Sequence, residues 1–256
     1  MSFLDTLLNP VFDPLLKATG PFLSILIISL LISVVITFVY KWVTNQTLMK
    51  SLKEKQKEFQ QKIKGLRDNP GEMMKVQKEA MKVNMDYMKQ SFKPTLITMI
   101  PVLIIFGWMA AHLAFEPIFP GEQFSVTAEF EPGTTDYAEL IVGEELQLLS
   151  DSQQKIEESV TWKLTGSPGD HILELKHADQ AYTKKVHVGT DFNLAEQITP
   201  FEDSSIKLIK IDYKKLKPLG PTFTIPVIKW QPGWLGIYII FSIVFSMGLR
   251  KILKIY

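Results

Sequence analysis

The chain has 256 residues, a hydrophobic content of 46% and a formal net charge of +1. It contains no cysteine, which excludes disulfide bonds, thiolate catalysis and cysteine-ligated metal sites. The near-neutral total hides a segregation of charge, because residues 41–93 hold thirteen Lys/Arg against six Asp/Glu, whereas residues 116–229 hold eleven against nineteen. The chain therefore consists of a basic part and an acidic part separated by apolar runs.

The first forty residues contain a short apolar segment followed by a predicted membrane span. Residues 1–20 carry apolar side chains around Pro10 and Pro14, and we interpret them as a helix or turn lying in the outer interface of the membrane, with a disordered leader as the alternative. Residues 21–40 are uncharged, and twenty helical residues cover about 30 Å, the thickness of the hydrocarbon core. We predict transmembrane helix 1 over residues 21–41. A cleavable signal peptide fits less well, because no basic region precedes the run and no small-residue cleavage site follows it.

Residues 42–92 are predicted to form a cytoplasmic helical hairpin. Apolar residues recur on one face of the first arm at spacings of 4, 7, 4 and 3. They are Leu48, Leu52, Phe59, Ile63 and Leu66. Residues 67–71 then break the helix, and Asn69, Pro70 and Glu72 match the N-cap, N1 and N3 positions of a second helix. We expect two antiparallel arms whose apolar seams pack as in a coiled coil.

The second arm carries more apolar surface than one seam requires. One stripe consists of Val76, Ala80, Val83 and Tyr87, and a separate stripe consists of Met74, Met81, Met85, Met88 and Phe92. Unbranched, polarizable methionine suits surfaces that accept varied apolar partners. The residues predicted to form such a binding surface are Met73, Met74, Met81, Met85 and Met88. The alternative is that these methionines fill the seam of the hairpin. The excess of basic residues also fits ribosomal RNA or anionic lipid headgroups, although a solvated helix face is the simpler explanation.

Two further apolar runs predict transmembrane helices over residues 93–115 and 230–250, followed by a tail at residues 251–256. Because cytoplasmic loops carry an excess of Lys and Arg, the basic hairpin and the tail are predicted to lie in the cytoplasm. The amino terminus and residues 116–229 then lie outside. The expected location is the cell membrane.

Small and hydroxylated residues recur on one face of each predicted span. They are Ser29, Ser33 and Thr37 in the first span, Thr98 in the second, and Ser242 and Ser246 in the third. This pattern is typical of close helix packing in lipid, and the sharper hypothesis is a weakly polar groove between the spans. Lys41, Lys93 and Arg250 are predicted to form its cytoplasmic rim. No Asp, Glu, Lys or Arg lies within the apolar runs at residues 21–40, 94–115 and 234–249, which argues against ion-coupled transport. His112, near the outer end of the second run, is expected to be interfacial.

Residues 116–229 are predicted to form a β-sandwich of immunoglobulin-like type with about seven short strands and Trp162 in its core. Alternating apolar residues indicate half-buried strands around Val126, Val160 and Ile206. The alternation in the last of these strands is expected at Ile206, Leu208 and Ile211. His171, His177 and His187 are expected at the surface rather than as metal ligands. The sequence has no nucleophile elbow, phosphate loop or zinc motif, so we expect neither an enzyme nor a cofactor or metal.

The membrane part resembles the archaeal three-span proteins of domain-of-unknown-function family 106, in the YidC/Oxa insertase superfamily, which are related to a subunit of the eukaryotic endoplasmic reticulum membrane protein complex. The resemblance rests on the methionine-rich arm, on the segment from Phe92 through Pro101 to Trp108, and on the final segment from Trp234 to Lys251. It covers about 140 residues. No single short motif is diagnostic. The resemblance depends on the order of the elements, which is span, basic hairpin, span and short last span. The cations lie at the rim here and not inside the groove, and the outer domain is larger than expected for the family.

The resemblance implies an α-helical membrane protein with three transmembrane helices, which acts as a membrane protein insertase or chaperone. Clients would enter a cytosol-facing groove and leave sideways into lipid. Expected partners are nascent membrane proteins and the lipid bilayer, with the ribosome and a small membrane partner subunit as further candidates. The alternative is a membrane-anchored binding or scaffold protein that acts through its extracytoplasmic β domain.

Overall fold

Three apolar helices and a β-rich segment make up most of the computed structural model, which describes residues 3–66, 68–226 and 229–255, with side chains from residue 5 onward. Arg67 of the predicted hairpin turn and Tyr256 of the predicted tail lie outside the described residues. The chain divides into two compact units, Met1–Trp108 with Leu235–Tyr256, and Met109–Trp234. Among the described residues, three helices are long and apolar enough to cross a membrane, over Asp5–Val43, Pro70–Leu113 and Trp234–Ile252.

Helix α1 (Phe3–Val43) is broken at Gly20 into two parts, residues 3–19 and 21–43. Gly20 has φ 73° and ψ 173°, a backbone region that essentially only glycine adopts. The hydroxyl groups of Thr19 and Ser24 lie 2.9 Å apart across the break. The predicted interfacial segment is therefore a helix of its own, which meets the first span at this glycine.

Two asparagines begin the helices of the hairpin. Asn45 caps α2 (Gln46–Gly65) by accepting a hydrogen bond from the backbone N–H of Leu48 at 3.0 Å. Asn69 caps α3 (Pro70–Leu113) by accepting from the backbone N–H of Glu72 at 3.3 Å, and its side-chain amide donates to Glu72 Oε2 at 3.2 Å. The predicted N-cap is thus observed, with the glutamate bound to the side chain of the cap and not to its backbone.

Helix α3 joins the second arm of the hairpin to the second apolar run without interruption. Its 44 residues continue through Pro94 and Pro101, which corresponds to about 66 Å of helix. The missing hydrogen bonds at the prolines are tolerated in membrane helices when neighbouring groups satisfy the freed carbonyls. Between the two prolines, the hydroxyl of Thr98 donates to the carbonyl of Pro94 at 3.0 Å, a bond within the same helix. The arm and the span therefore form one continuous helix.

Helix α4 (Trp234–Ile252) ends in a Schellman motif. The N–H of Lys254 donates to the carbonyl of Lys251 at 3.3 Å, and the N–H of Ile255 donates to that of Arg250 at 2.9 Å. Lys254 adopts the left-handed conformation that this motif requires, with φ 50°. Ile255 is buried in a cluster with Tyr40 and Met49. The predicted tail thus folds back onto the helices instead of extending from them.

The second unit contains two antiparallel sheets. Within the described residues the strands are β1 (Phe124–Phe130), β2 (Tyr137–Ile141), β3 (Leu146–Leu148), β4 (Gln153–Lys155), β5 (Ser159–Gly166), β6 (Gly169–His177), β7 (Gln180–Val188), β8 (Ile198–Pro200) and β9 (Ile206–Ile211). One sheet has the order β3-β5-β1-β9-β8 and the other β4-β2-β6-β7. These nine strands exceed the predicted seven, because β3, β4 and β8 have three residues each and are too short to show alternation.

Inward-facing side chains of both sheets share one hydrophobic core that includes Trp162. Trp162 is fully buried, and its indole N–H donates to the carbonyl of Ser152 at 2.8 Å. The prediction for β9 was wrong in one position, because Ile209 is buried where Leu208 was expected. The pairing of β1 with β9 shifts register between Glu129 and Phe130, and this bulge changes which residues of β9 face inward.

Candidate functional site

The two arms of the hairpin lie side by side. Gln56 on α2 donates a hydrogen bond to the side-chain carbonyl of Asn84 on α3 at 2.8 Å. Leu52 is buried, and the side chains of Val83 and Tyr87 are partly buried. The predicted stripe from Val76 to Tyr87 is therefore the less exposed of the two on α3.

The second stripe of α3 is exposed. The exposed fractions are 57% for Met74, 63% for Met81, 51% for Met85, 62% for Met88 and 59% for Phe92. Met73 is partly buried and falls at the spacing of the seam stripe. The alternative, in which these methionines fill the hairpin seam, is wrong for the four exposed side chains. It agrees with the position of Met73 alone among the five predicted methionines.

The exposed stripe continues along α3 into the apolar run. Leu96, Met99 and Leu103 follow Phe92 at spacings of 4, 3 and 4 residues, which places them on the same face of the helix. Their exposed fractions are 50%, 49% and 59%. We call the row from Met74 through Phe92 to Leu103 the apolar ridge. It extends over 30 residues, whose first and last are about 43 Å apart along the helix, and connects the hairpin arm to the membrane span.

The hydroxylated residues of the spans face inward and bind their own helices. Ser29, Ser33 and Thr37 are buried. The hydroxyl of Ser29 donates to the carbonyl of Ile25, and that of Thr37 donates to the carbonyl of Ser33, both at 2.6 Å. On α4, Ser242 donates to the carbonyl of Tyr238 at 2.6 Å, and Ser242 and Ser246 are partly buried. This arrangement agrees with the packing interpretation of the pattern.

A cavity of about 410 Å³ lies between the helix of residues 21–43 and α3. Of the six predicted polar residues, Thr98 alone lines it, and the hydroxyl of Thr98 is already bonded to Pro94. The other lining residues are Val11, Phe12, Ile28, Leu31, Ile32, Val35, Ile36, Val39, Ile97, Pro101, Val102 and Ile105. The groove between these helices is therefore apolar, whereas the sequence hypothesis was a weakly polar one.

Two of the three predicted rim cations are exposed, and the third is held by an aromatic ring. Lys41 and Lys93 are exposed. The guanidinium of Arg250 lies 4.6 Å from the ring centre of Tyr40, within the range of a cation–π interaction. The Tyr40 hydroxyl lies 3.4 Å from that of Ser91. Tyr40 thus joins the C-terminal ends of α1 and α4 to the middle of α3, and all three rim residues lie near this junction.

The helical part of the chain has a family match. Residues 9–131 match a family model described as integral membrane protein EMC3/TMCO1-like. This family is associated with membrane protein insertion. The match covers just under half of the chain, including α2, α3 and β1, and it agrees at a coarse level with the resemblance to the YidC/Oxa superfamily. No curated protein and no solved structure matches the chain.

The match and the three apolar helices together identify a multi-pass membrane protein with a separate β-sheet region. The prediction of a multi-pass integral membrane protein is thereby confirmed, with three candidate membrane helices. The matched residues include the methionine stripe and the α3 side of the cavity.

The β unit contains a second cavity, of about 560 Å³, beside strand β7. Lys184 occupies an inward-facing position of this edge strand, between Tyr182 and Val186, and is buried. Its ammonium donates to the carbonyl of Glu196 at 2.5 Å and to the hydroxyl of Thr199 at 2.7 Å. Burial lowers the pKa of Lys184 to about 8, partly offset by the charge of Glu196. An inward-pointing charge on an edge strand also disfavours pairing with another chain.

The prediction of surface histidines was wrong for two of the three in the β unit. His171 is buried, and its Nε2 lies 2.9 Å from the carbonyl of Ser167. His177 is also buried, and its ring packs at 5.8 Å from that of Phe130. Both lie on the inward face of β6, because every second side chain of a half-buried strand points into the core. No cluster of three or more potential metal ligands is found among the described residues.

His187 lies between two carboxylates, with Nδ1 at 2.5 Å from Asp170 and Nε2 at 2.7 Å from Asp191. Burial lowers the pKa of His187, but the hydrogen bonds to Asp170 and Asp191 outweigh it, so that the pKa is raised above 6.5. A raised pKa in the folded state stabilises the β unit below pH 6.5, and this contribution is lost as pH rises through the folded-state value.

We therefore expect the substitution Asp191→Asn to lower the pKa of His187, because it removes one of the two charges. An NMR titration of the imidazole protons measures this directly. Asp179→Asn, at an exposed position in the turn between β6 and β7, is the matched control and should leave the titration unchanged. An unchanged pKa in the Asp191 variant would contradict the assigned pairing.

Some site residues carried no recognisable sequence signal. Asn9 accepts a hydrogen bond from the indole N–H of Trp108 at 2.7 Å, and Phe12 packs against the same indole with ring centres 4.8 Å apart. Nothing in the periodicity of residues 1–20 pairs them with a helix about one hundred residues away. Arg250 was predicted at the rim of the groove, but nothing in the sequence paired it with Tyr40.

Proposed function

We propose that the protein is a membrane protein insertase or chaperone, which receives client transmembrane segments on the apolar ridge of α3 and passes them into the bilayer. One observation carries this proposal: the exposed methionine stripe and the exposed face of the second span lie on one continuous helix. The match to a family associated with membrane protein insertion supports it.

Along the apolar ridge, a client helix can keep its apolar side chains shielded from water. Each apolar side chain that a client shields from water contributes about 1.5–3 kcal/mol when it becomes fully buried. A client helix that leaves the cytosol along the row from Met74 to Phe92 keeps such contacts until it reaches Leu96 and Leu103. Methionine adapts its three rotatable bonds to side chains of different shape, so one ridge can serve clients of different sequence.

The proposed orientation follows the distribution of charge. The basic hairpin and the rim residues Lys41, Lys93 and Arg250 lie in the cytoplasm, and the acidic β unit lies outside. In this orientation the ridge begins where clients are synthesised. The proposed partners are nascent membrane proteins, and the ribosome and a small partner subunit are proposed as further ones. No enzymatic activity is proposed.

The function is tested by reconstitution. We expect liposomes that contain the purified protein to insert a single-span client with a short polar tail several-fold more efficiently than empty liposomes, measured as protease protection of the tail. A client with a charged residue at the centre of its span is the control, because such a charge costs about 2.5–3.5 kcal/mol on insertion scales. Equal insertion with and without the protein would refute the proposal.

The cavity beside β7 favours the alternative, a membrane-anchored protein that binds a ligand through its β unit. The chain enters and leaves the sheets side by side, since the N–H of Glu116 donates to the carbonyl of Lys214 at 2.8 Å and the N–H of Leu216 to that of Ala114 at 3.0 Å. Residues 117–213 can therefore be replaced by an Asn-Gly turn, which closes a two-residue hairpin. Full insertion activity in this variant supports the insertase proposal. Loss of function in this variant, together with unchanged function when the ridge methionines are substituted, favours the alternative.

A further inference from the structure

The helix of residues 3–19 closes one end of the apolar cavity. It contributes Val11 and Phe12 to the lining, whereas the remaining lining residues come from the helix of residues 21–43 and from α3. Phe12 is buried against the indole of Trp108, and Asn9 accepts the indole N–H at 2.7 Å. Trp108 is itself only 1% exposed, and Asn9 is partly buried.

The helix of residues 3–19 buries fewer of its apolar side chains than an element of a hydrophobic core does. Phe12 and Leu16 are buried, but Leu7 and Val11 are 53% and 63% exposed. Segments with few buried apolar contacts belong to the low-stability end of a structure and open most readily. The single-residue break at Gly20 gives this helix a defined pivot, because the conformation at that position is essentially restricted to glycine.

We propose that residues 3–19 form a hinged plug, which pivots at Gly20 and is displaced from the cavity by an incoming apolar client helix. This proposal rests on the proposed insertase function. The side chains of Val11 and Phe12 line the cavity with the same chemistry that a client span presents, so a client span competes with them for contact with the other cavity walls. A client shifts the plug to the open position only to the extent that it binds the open cavity more tightly.

Opening of the plug should raise the solvent accessibility of position 16 when a client is present, and this can be measured independently of insertion. In the full chain with Leu16→Cys, which is otherwise free of cysteine, the thiol is buried when the plug is closed. We expect an apolar transmembrane peptide to raise its alkylation rate roughly tenfold, because about 1.4 kcal/mol of differential binding shifts the equilibrium by that factor. Leu7→Cys, already exposed, is the control and should react at an unchanged rate. An unchanged rate at position 16 overturns the plug.

A covalent bridge tests whether opening is required. The variant Val11→Cys/Val102→Cys joins two residues that line the cavity. It is reconstituted in liposomes and treated with a short, reducible bifunctional thiol reagent. We expect insertion to fall at least about fivefold when the bridge is formed and to recover on reduction. The reason is that the bridge prevents the plug from opening, so the open, binding-competent state is no longer populated. The single variant Val102→Cys, treated in the same way, controls for modification of the cavity.

The outcomes separate this proposal from the function on which it rests. Equal activity of the bridged and reduced proteins overturns the plug and leaves the insertase function standing. Inactivity of both forms, together with an inactive unmodified chain, refutes the insertase function and the plug with it. As an independent check, Asn9→Leu removes the acceptor of the Trp108 N–H while keeping a side chain branched at the same carbon, and it should raise the alkylation rate of Leu16→Cys without any peptide.

Discussion

Replacing Met81, Met85 and Met88 together by glutamine is expected to weaken the binding of client segments on the order of a hundredfold. Glutamine has nearly the length of methionine and a comparable helix propensity, so α3 should remain intact. Each substitution removes about 1 kcal/mol of apolar burial, and three such losses correspond to about two decades in Kd. The measurement is the yield of photocrosslinks between a probe at Met74 and a client segment, as a function of client concentration.

Two controls separate the apolar ridge from a general effect on the arm. The triple substitution to leucine keeps the apolar character and should retain binding, because volume-conserving apolar exchanges are well tolerated. Glu79→Gln with Asp86→Asn alters exposed polar positions outside the ridge and should also have little effect. The ridge would lose its proposed role if the glutamine and leucine variants bound the client equally well.

The hairpin could be predicted from sequence because its signals are local. The N-cap at Asn69 depends on residues within three positions, and the two stripes of the second arm follow from helical periodicity alone. The same periodicity could not decide which stripe faces α2. That choice depends on the register between the arms, which in the structure pairs Gln56 with Asn84.

The groove was less predictable, because the position of a hydroxyl group on a helical face does not determine its partner. Ser29 and Thr37 lie on the inward face as expected, but each satisfies its hydrogen bond within its own helix. In a low-dielectric interior this local bond is always within reach, whereas a partner on another helix requires close approach. The cavity that remains between α1 and α3 is therefore lined by aliphatic side chains.

The long-range contacts in both units could not be predicted from the sequence. The fold of residues 3–19 onto Trp108 depends on the backbone conformation of one residue, Gly20, and a glycine permits many directions. In the β unit, Lys184 falls at a core position of β7 because the neighbouring segment supplies Glu196 and Thr199 as acceptors. A charged residue in an alternating pattern would otherwise be assigned to the solvent face.

Tyr40→Ala is expected to have the largest effect on the helical unit, because Tyr40 lies where α1, α3 and α4 meet. Its ring is buried with Met49 and Ile255 and stacks on Arg250. Removing a buried aromatic side chain costs about 3–5 kcal/mol, and here it also leaves the guanidinium without its ring. We expect tryptic cleavage at Lys251 in the detergent-solubilised protein to accelerate at least a hundredfold, because cleavage follows the population of the opened form.

Tyr40→Phe provides the matched comparison. It keeps the ring and its contact with Arg250 and removes only the hydroxyl, which lies at the long distance of 3.4 Å from Ser91. A neutral hydrogen bond contributes about 0.5–1.5 kcal/mol at favourable geometry, so its loss should change the cleavage rate by less than tenfold. If both variants were cleaved at the same accelerated rate, the hydroxyl would hold the junction and not the ring. Wild-type cleavage rates in the alanine variant would show that the ends of α1 and α4 are held together elsewhere.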